Sequence, residues 1–411
     1  MAKTLEADVI VVGGGPAGCS MAALLAANGV TVLCIDQDDP EATLEGSFDG
    51  RTTAISYGSR RVIAAAGAWD ALENEACPID DIQIMESGSS VLLEFLIKDV
   101  GNKSFGWIVE NRKLRAALYA RLKSLKNAQH LAPARVADFS RGADRVFVHL
   151  QDGRTASAKL VIGADGRKSF TREWMGIGTR GWSYRQRGVV CIVHHENPHG
   201  NVAVEDFRCS GPFAILPMSD DEAGRHRSSI VWTEHGPEKE SAKDWDEESF
   251  NAALAERFPA FYGKVSLAGN RFSYPLSLSH AHSYIAERMA LVADAAHGIH
   301  PIAGQGLNLG LRDVAELADL IVEAKRNGKD IGDMDLLEAY QRARRPDNMM
   351  MAAATDSLNK LFSNDVAPVR LLRRIGLRMV QAAPGARKFF MRQAMGTSGM
   401  LPRLIKDGKL D

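Results

Sequence analysis

Cysteine is scarce and scattered in this 411-residue chain: Cys19, Cys34, Cys77, Cys191 and Cys209, with no Cys-x-x-Cys pair. An odd, dispersed set argues against a disulfide framework or a zinc ribbon and fits a reducing compartment. No apolar run approaches the ~18 residues that a membrane-crossing helix needs. Charge of one sign is also missing: 50 Lys and Arg face 51 Asp and Glu, so nothing favours nucleic acid as the main partner. Met1 lies only a few residues before the first strand, leaving no room for a signal peptide. Internal repeats and low-complexity segments are absent. These absences lead us to expect a cytoplasmic protein of ordinary composition, 45% hydrophobic and 25% charged, with enough chain for one large domain or two moderate ones.

What is present begins at Asp8. Asp8-Val-Ile-Val-Val12 reads as a β-branched strand, and Gly13-Gly14-Gly15-Pro16-Ala17-Gly18 follows at once. That is Gly-x-Gly-x-x-Gly with a strand before it and a helix after it, the helix stopping near Asn28-Gly29. A second strand over 30–35 delivers Asp36, 18 residues past Gly18 and near the ~20 of a dinucleotide fold. The glycines permit a tight turn, close approach of a pyrophosphate and close helix–strand packing. Asp36 can accept hydrogen bonds from an adenosine ribose. The pattern suits FAD and NAD equally, and glycine turns also end strands in many other folds.

Beyond this unit, Arg51 closes a polar loop where a cation could face a pyrophosphate or the edge of a cofactor ring; a plain surface arginine is the alternative. Helices are expected over 56–69 and 112–125, and a β-like pattern over 79–96 with a turn at Ser87-Gly-Ser-Ser90. Strands over 145–150 and 158–162 join through Asp152-Gly153. The second strand feeds Gly163-Ala164-Asp165-Gly166-Arg167-Lys168-Ser169, where Asp165-Gly166 is either a turn alone or part of a site. From 188 to 276, short apolar and aromatic strands (189–193, 213–216, 229–232) and a helix over 247–258 interrupt the dinucleotide-type elements. This region reads as an inserted antiparallel substrate domain.

The most specific stretch is 289–313. A short apolar run ends in Asp294, a loop with Pro301 and Gly304 follows, and a helix opens near Gly306. Leu307, Leu311, Val314, Leu317 and Ile321 give that helix one apolar face. A strand-end carboxylate beside a glycine-lined helix start suits a cofactor with hydroxyls at one end and a charge-accepting ring at the other. The helix's free N–H groups and positive dipole end favour anionic charge there. A metal reading competes: Asp294-x-x-His297-x-x-His300, with His280 and His282, offers ligands suited to zinc or iron. Pro301 and the glycines work against the helical spacing such a site prefers. A further helix is expected over 336–354, interrupted at Pro346. The tail beyond Val366 is basic, with Val369, Leu372, Ile375 and Met379 forming a stripe beside its arginines. That stripe packs either on the protein's own core or on an anionic membrane surface.

Together the segments Arg51-Thr-Thr-Ala-Ile-Ser, Gly106-Trp-Ile-Val-Glu-Asn111, Gly163 to Ser169 and His300-Pro-Ile-Ala-Gly-Gln-Gly-Leu-Asn-Leu-Gly-Leu-Arg-Asp313 resemble the FAD-dependent aromatic hydroxylases with the para-hydroxybenzoate hydroxylase fold. Tyr184-Arg-Gln186, Gly211-Pro-Phe-Ala-Ile-Leu-Pro217 and Leu361-Phe-Ser-Asn364 narrow the likeness to the ubiquinone-biosynthesis hydroxylases, over essentially the whole chain. The resemblance implies a mixed α/β fold. A Rossmann-like FAD-binding domain would comprise residues 1–75, 100–180 and 277–360, the inserted antiparallel-sheet substrate domain 76–99 and 181–276, and a basic helical segment 361–411.

For the cofactor, the resemblance implies that Gly13, Gly15, Pro16, Ala17 and Gly18 hold the FAD pyrophosphate and Asp36 the ribose. Arg51 and Asn111 would lie on the flavin side, with Val136 offering backbone to the adenine. Asp165 and Gly166 would serve both FAD and a transient NAD(P)H, and Asp294 would bind the ribityl chain. Gly304, Gln305, Gly306, Leu307 and Asn308 would line the ring, with no protein nucleophile. The implied reaction is hydroxylation of a prenylated phenol by O₂ through a flavin C4a-hydroperoxide. The implied partners are a ubiquinone-biosynthesis complex and peripheral membrane contact through the basic tail. A dehydrogenase or reductase of the same fold, or a non-catalytic FAD-binding member of such a complex, are the alternatives. Two positions depart from the family pattern: Ala293, where glycine is usual, and Asn111, where the wider family often has arginine.

Overall fold

The computed structural model describes residues 4–45, 50–87, 91–236, 240–300, 302–363, 367–408 and 410. Strand β1 (Leu5–Val12), helix α1 (Pro16–Ala27) and β2 (Val32–Ile35) come first, then α2 (Pro40–Glu45), β3 (Thr52–Ser56) and α3 (Tyr57–Ala65). Next are β4 (Cys77–Ile79), β5 (Asp81–Glu86), β6 (Leu93–Leu96), β7 (Gly106–Glu110) and α4 (Asn111–Ser124). Strands β8 (Ala128–Leu131), β9 (Val136–Arg141), β10 (Val146–Leu150) and β11 (Thr155–Gly163) lead to α5 (Phe170–Trp174). The middle of the chain holds β12 (Thr179–His195), β13 (Val202–Arg208), β14 (Gly211–Met218), β15 (His226–His235), α6 (Glu247–Ala255) and β16 (Val265–Ala281). Short strands β17 (Ile285–Ala286), β18 (Met289–Leu291) and β19 (His297–Gly298) precede α7 (Gln305–Arg326) and α8 (Met334–Phe362). The chain ends with α9 (Ala367–Ala382), α10 (Pro384–Ala394) and α11 (Arg403–Asp407). Positions 88–90 of the expected Ser-Gly-Ser-Ser turn lie outside the described residues, as do Pro301 and Asn364.

The fold is mixed α/β. One sheet runs β17-β18-β11-β1-β2-β8, parallel from β18 to β8, with the β9–β10 ribbon attached to β11. Parallel strands need crossovers, and α1 supplies the first of them between β1 and β2. Such a sheet is covered on both faces, so β1 and β2 are nearly all apolar. Val9, Val11 and Cys34 face α1 and α7, while Ile10, Leu33 and Ile35 face the β9–β10 side. On α7, Leu311, Val314, Leu317 and Ile321 are fully buried, which fits the expected stripe. Each such side chain contributes roughly 1.5–3 kcal/mol of burial.

The second sheet runs β19-β16-β12-β15-β14-β13-β5-β6 and is antiparallel except at β13–β5, which pair in parallel. A third, small sheet, β3-β7-β4, lies between the other two; Thr52 of β3 donates to the Ser229 hydroxyl of β15 at 2.8 Å.

Pro346 does not interrupt its helix: α8 continues through it for 29 residues. A proline inside a helix costs about 3 kcal/mol, and here buried ionic contacts pin both flanks. Arg344 donates to Asp313 of α7 at 3.0 Å and to Asp347 at 2.7 Å, while Asn348 donates to Asp313 at 2.9 Å.

The basic tail also differs from the sequence pattern. The side chains of Val369 and Leu372 are outside the described residues, but Ile375 and Met379 are exposed, so this half of the stripe does not pack on the core. Leu377 and Val380 turn inward instead, and buried Arg373 and half-exposed Arg374 both bond Glu86 of β5.

Candidate functional site

The ends of β2, β1, β11 and β18 lie side by side. Gly13 donates to the Ile35 carbonyl at 2.8 Å, Ala164 to Val12 at 2.7 Å, and Val292 to Gly163 at 3.0 Å. The loops carrying Gly13–Gly18, Asp36, Asp165 and Asp294 therefore share the carboxyl edge of the parallel sheet, where open α/β folds bind nucleotides.

The three motif glycines have different surroundings. A Cβ on Gly18 would stand 1.9 Å from the Gly13 carbonyl oxygen, and one on Gly13 would stand 2.4 Å from the Ala164 oxygen. Both positions are closed by backbone, as tight helix–turn packing requires. A Cβ on Gly15 would meet nothing within 4 Å, and the same holds for Gly166 and Gly306. These three glycines line open space, as a backbone cradle for a cofactor does. Pro16 and Ala17 form the first turn of α1, a helix start suited to phosphate.

Asp36 is buried beside Gly14, and burial raises its carboxyl above the ordinary range although the Asp38 and Gly14 N–H groups bond it. Its carbonyl accepts from Ala134, which brings the start of β9, and so Val136, to the same edge. Arg51 sets its guanidinium 5.5 Å from the centre of the Tyr274 ring, and its carbonyl accepts from the Asn111 N–H. Asn111 starts α4 and its side chain bonds the Thr53 hydroxyl.

Asp165 has both carboxylate oxygens engaged, with the Ser169 hydroxyl at 2.5 Å and the Thr171 N–H at 2.9 Å. Its side chain shapes the loop, and Gly166 presents the open backbone. Asp294 is half-exposed and 3.4 Å from Arg167, while Arg172 donates to Ala295 at 2.8 Å. Arg167 and Arg172 thus tie the 163–172 loop to the Asp294 turn; neither was assigned a role from sequence, since a pairing across more than 120 residues leaves no local signal.

At the other end, Gly304 takes φ +61° and lies so close to β3 that a Cβ would stand 2.9 Å from Ala54 Cβ. Asn308 is buried; its amide donates to Ala54 O at 2.8 Å and Gly304 O at 3.0 Å, and its oxygen accepts from Ser56 N at 3.0 Å. The Asn308 side chain therefore fastens the start of α7 to β3, leaving Gly304 to Leu307 to present the helix start itself.

Ala293 adopts φ +54°, a conformation that favours glycine. Its methyl points at α7, where a Cβ on Gly310 would meet it at 2.5 Å, and its N–H donates to Asp313 at 3.1 Å. The extra carbon is thus accommodated by Gly310.

The histidines of the metal reading are distributed among different partners. His297 bonds Asp313 at 2.6 Å, and His280 meets the Tyr284 hydroxyl at 2.9 Å. His300 is fully buried against the Tyr184 ring, and neither nitrogen has a hydrogen-bond partner among the described residues. Burial pushes both His280 and His300 down to about 4, so both are neutral near pH 7. Burial of Asp313 opposes its charge, yet His297 and Arg344 outweigh it and hold the carboxyl at about 2. Among the described residues, Cys19, Cys34 and His130 are the one trio of such side chains with ligand atoms mutually within 4.8 Å, and none of the five candidates belongs to it.

Residues 6–355 match the family described as the FAD binding domain. The chain belongs to this family. It is 47% identical over 396 residues to the ubiquinone hydroxylase UbiL of Rhodospirillum rubrum, covering 96% of this chain and 91% of that one. It is 33% identical to the 3-demethoxyubiquinol 3-hydroxylase of Escherichia coli, covering 95% and 98%. Among solved structures, p-nitrophenol 4-monooxygenase PnpA of Pseudomonas putida superposes with a TM-score of 0.79 at 19% identity, covering 96% of this chain and 99% of that one. That likeness concerns the fold. The open glycine faces, the buried Asp36 carboxyl and the α7 start all fit FAD.

Proposed function

We propose that this protein is an FAD-dependent monooxygenase that hydroxylates the ring of a prenylated phenol in ubiquinone biosynthesis, using O₂ and NAD(P)H. The observation that carries the reading is 47% identity along nearly the whole chain to a ubiquinone hydroxylase, joined to a cradle shaped for FAD. In this reading residues 1–75, 100–180 and 277–360 hold the cofactor, and 76–99 with 181–276 face the substrate. Bound FAD supplies the redox chemistry, accepting hydride and activating O₂.

The chain's own residues do the rest. Gly13 to Gly18 and the α1 start receive the pyrophosphate, and Asp36 the adenosine ribose. Asp294, fixed by Arg167 and by the Ala293–Asp313 bond, receives the ribityl hydroxyls. The α7 start, held to β3 by Asn308, stabilises negative charge at the ring. The apolar cluster of Ile192, Ala203 and Met218 on the second sheet helps exclude water. NAD(P)H binds transiently, since the chain carries no second dinucleotide fingerprint. Purified protein should be yellow, and a prenylphenol should stimulate its NAD(P)H oxidation with one ¹⁸O atom from O₂ entering the product. Flavin-free protein, or reduction of substrate without ¹⁸O incorporation, would sink the reading.

The lipid-soluble substrate draws a second element into the reading: α9 and α10 dock on an anionic membrane surface. Leu371, Ile375 and Met379 lie one turn apart on α9 and are 61%, 45% and 65% exposed, and Phe389 and Phe390 of α10 are exposed as well. Arg378, Lys388 and Arg392 are exposed around them, the charge sign such a surface attracts. No helix among the described residues is long and apolar enough to cross a membrane, so contact would be peripheral. Replacing Leu371, Ile375 and Met379 with serine should abolish sedimentation with phosphatidylglycerol vesicles while FAD stays bound; unchanged sedimentation would refute it.

A further inference from the structure

Strand β13 carries two adjacent acids that face opposite ways. Asp206 shares the side of Val204, which packs with Phe250 and Leu254 of α6, and Asp206 pairs with Arg208 at 2.7 Å. Glu205 shares the other side with Ala203 and Phe207. On that side Ala203 clusters with Ile108 of β7 and Met391 of α10, and Phe207 stacks on Phe362 at the end of α8. The same side of the sheet carries Ser229, bonded to Thr52 of β3. Glu205 therefore looks into the space between the second sheet, the cofactor domain and the C-terminal helices.

Its strand neighbours in register are Ala214 and Ile84, neither of which has a polar side chain to offer. Ala214 in turn pairs with Val231, two residues from Ser229. At ~4.8 Å per strand, Glu205 stands roughly 10 Å across the sheet from the β3 contact. Among the described residues, the cations on the elements around it are engaged elsewhere: Arg373 and Arg374 of α9 hold Glu86, Arg227 of β15 faces Glu110 of β7, and Lys360 of α8 pairs with Asp356. Glu94 of β6 accepts from Gln83. Among the described residues Glu205 has no hydrogen-bond or ion-pair partner. Glu205 keeps part of its surface open, yet desolvation by the surrounding protein, with the neighbouring Asp206 charge, pushes its carboxyl up to about 7. An acid left unpaired on an interior face, poised near neutral pH, is the arrangement expected of a group whose partner is the ligand.

We propose that Glu205 is the residue that accepts the ring hydroxyl of the phenolic substrate and holds its proton during oxygen transfer. The inference rests on the phenol reading given above. In the ionised state, the carboxylate accepts the phenolic hydrogen bond. The O–H bond then breaks toward Glu205, leaving the electron pair on the ring oxygen, where it enriches the carbon to be oxygenated. FAD, NAD(P)H and O₂ supply the oxygen atom and electrons. When the oxygenated carbon loses its hydrogen as a proton to solvent and the ring is aromatic again, Glu205 returns its proton to the ring oxygen.

The test titrates holoenzyme with a prenylated phenol and with its O-methyl ether, reading binding from the flavin absorbance between about pH 5.5 and about pH 8.5. Wild type should prefer the phenol by about tenfold or more above pH about 7, and the preference should fade below it. Glu205→Gln should bind both ligands within about twofold at every pH, with normal FAD content, and should form about tenfold less product per NAD(P)H. Glu205→Asp should keep the pH dependence with a weaker preference. A Gln variant with wild-type preference and pH profile overturns the proposal, and so does a flat profile in wild type. Because binding is read without turnover, a wild-type protein that prefers the phenol yet hydroxylates nothing would refute the monooxygenase reading and leave Glu205 supported as the phenol acceptor.

Discussion

The two ends of the cofactor site are built on different principles. At the glycine turn, the chain closes on backbone or on one acid: Gly18 against the Gly13 carbonyl, Gly13 against that of Ala164, and Gly14 against the Asp36 side chain. At the α7 end, the parts come from β3, the Asp294 turn, α7 and α8, and side chains carry the connections. Asn308 ties α7 to β3, and Asp313 gathers Ala293, His297, Arg344 and Asn348 into one buried cluster. A glycine closed by backbone, as Gly13 and Gly18 are, tolerates no added carbon. A side-chain-built end tolerates an added carbon, as at Ala293, provided a facing residue gives way, but it depends on charge.

That contrast can be broken at either end, and the largest effect is expected at the turn. Gly18→Val would drive side-chain carbons into the Gly13 carbonyl, where even a Cβ sits at 1.9 Å. Flavin absorbance of the purified variant should be absent, and retention of stoichiometric FAD would show that the turn is not closed. Next is Asp313→Asn, which leaves the fully buried Arg344 short of its countercharge. Breaking a buried pair of this kind costs about 3–5 kcal/mol, to be read from urea denaturation. Because the folded carboxyl sits at about 2, below its ordinary 3.8, this stabilisation is present above pH 3.8 and is lost as pH falls toward 2.

A smaller effect tests the accommodation at Ala293. Gly310→Ala should destabilise by about 1–3 kcal/mol through its contact with the Ala293 methyl, and Ala293→Gly should restore most of the loss in the double variant. Additive effects in that cycle would mean the two carbons do not meet. Smallest at neutral pH, and growing only on acidification, is an effect shared by His280 and His300. Both are held neutral by burial, with folded values of about 4 against 6.5. The unfolded chain binds more protons between those values, so stability should fall as pH drops from 6.5 to 4. His300→Gln should flatten that limb of a pH–stability curve.

The same contrast explains what could be read in advance. Gly13 to Gly18, the strand before them and Asp36 after them form a local grammar, and the structure places each accordingly. The stripe on α7 was equally legible, since periodicity of three and four needs no partner to be seen. The continuation of α8 through Pro346 was not, because Arg344 and Asn348 act there through Asp313, and Asp347 through Arg312, all more than 30 residues away. Nor was the side-chain direction of Asn308 or Asp165. Both look like ligand-facing polar residues in the sequence, and both are engaged with the fold's own backbone or hydroxyls. On α9 the arginines were expected beside an apolar stripe, whereas Arg373 is buried against Glu86. Glu205 went unnoticed because its strand has no clean alternation: a buried aspartate follows it on the opposite face.

The sequence alone determined the nucleotide-binding unit and the apolar face of α7, because turn chemistry and helical period are written within a few residues. It also carried the family likeness. Only the tertiary structure decided which polar groups are left for a ligand. Hydrogen-bond partners such as Asp313 for His297, or Arg373 and Arg374 for Glu86, come from distant segments, and that an acid such as Glu205 lacks a partner among the described residues is seen only once its neighbours are placed.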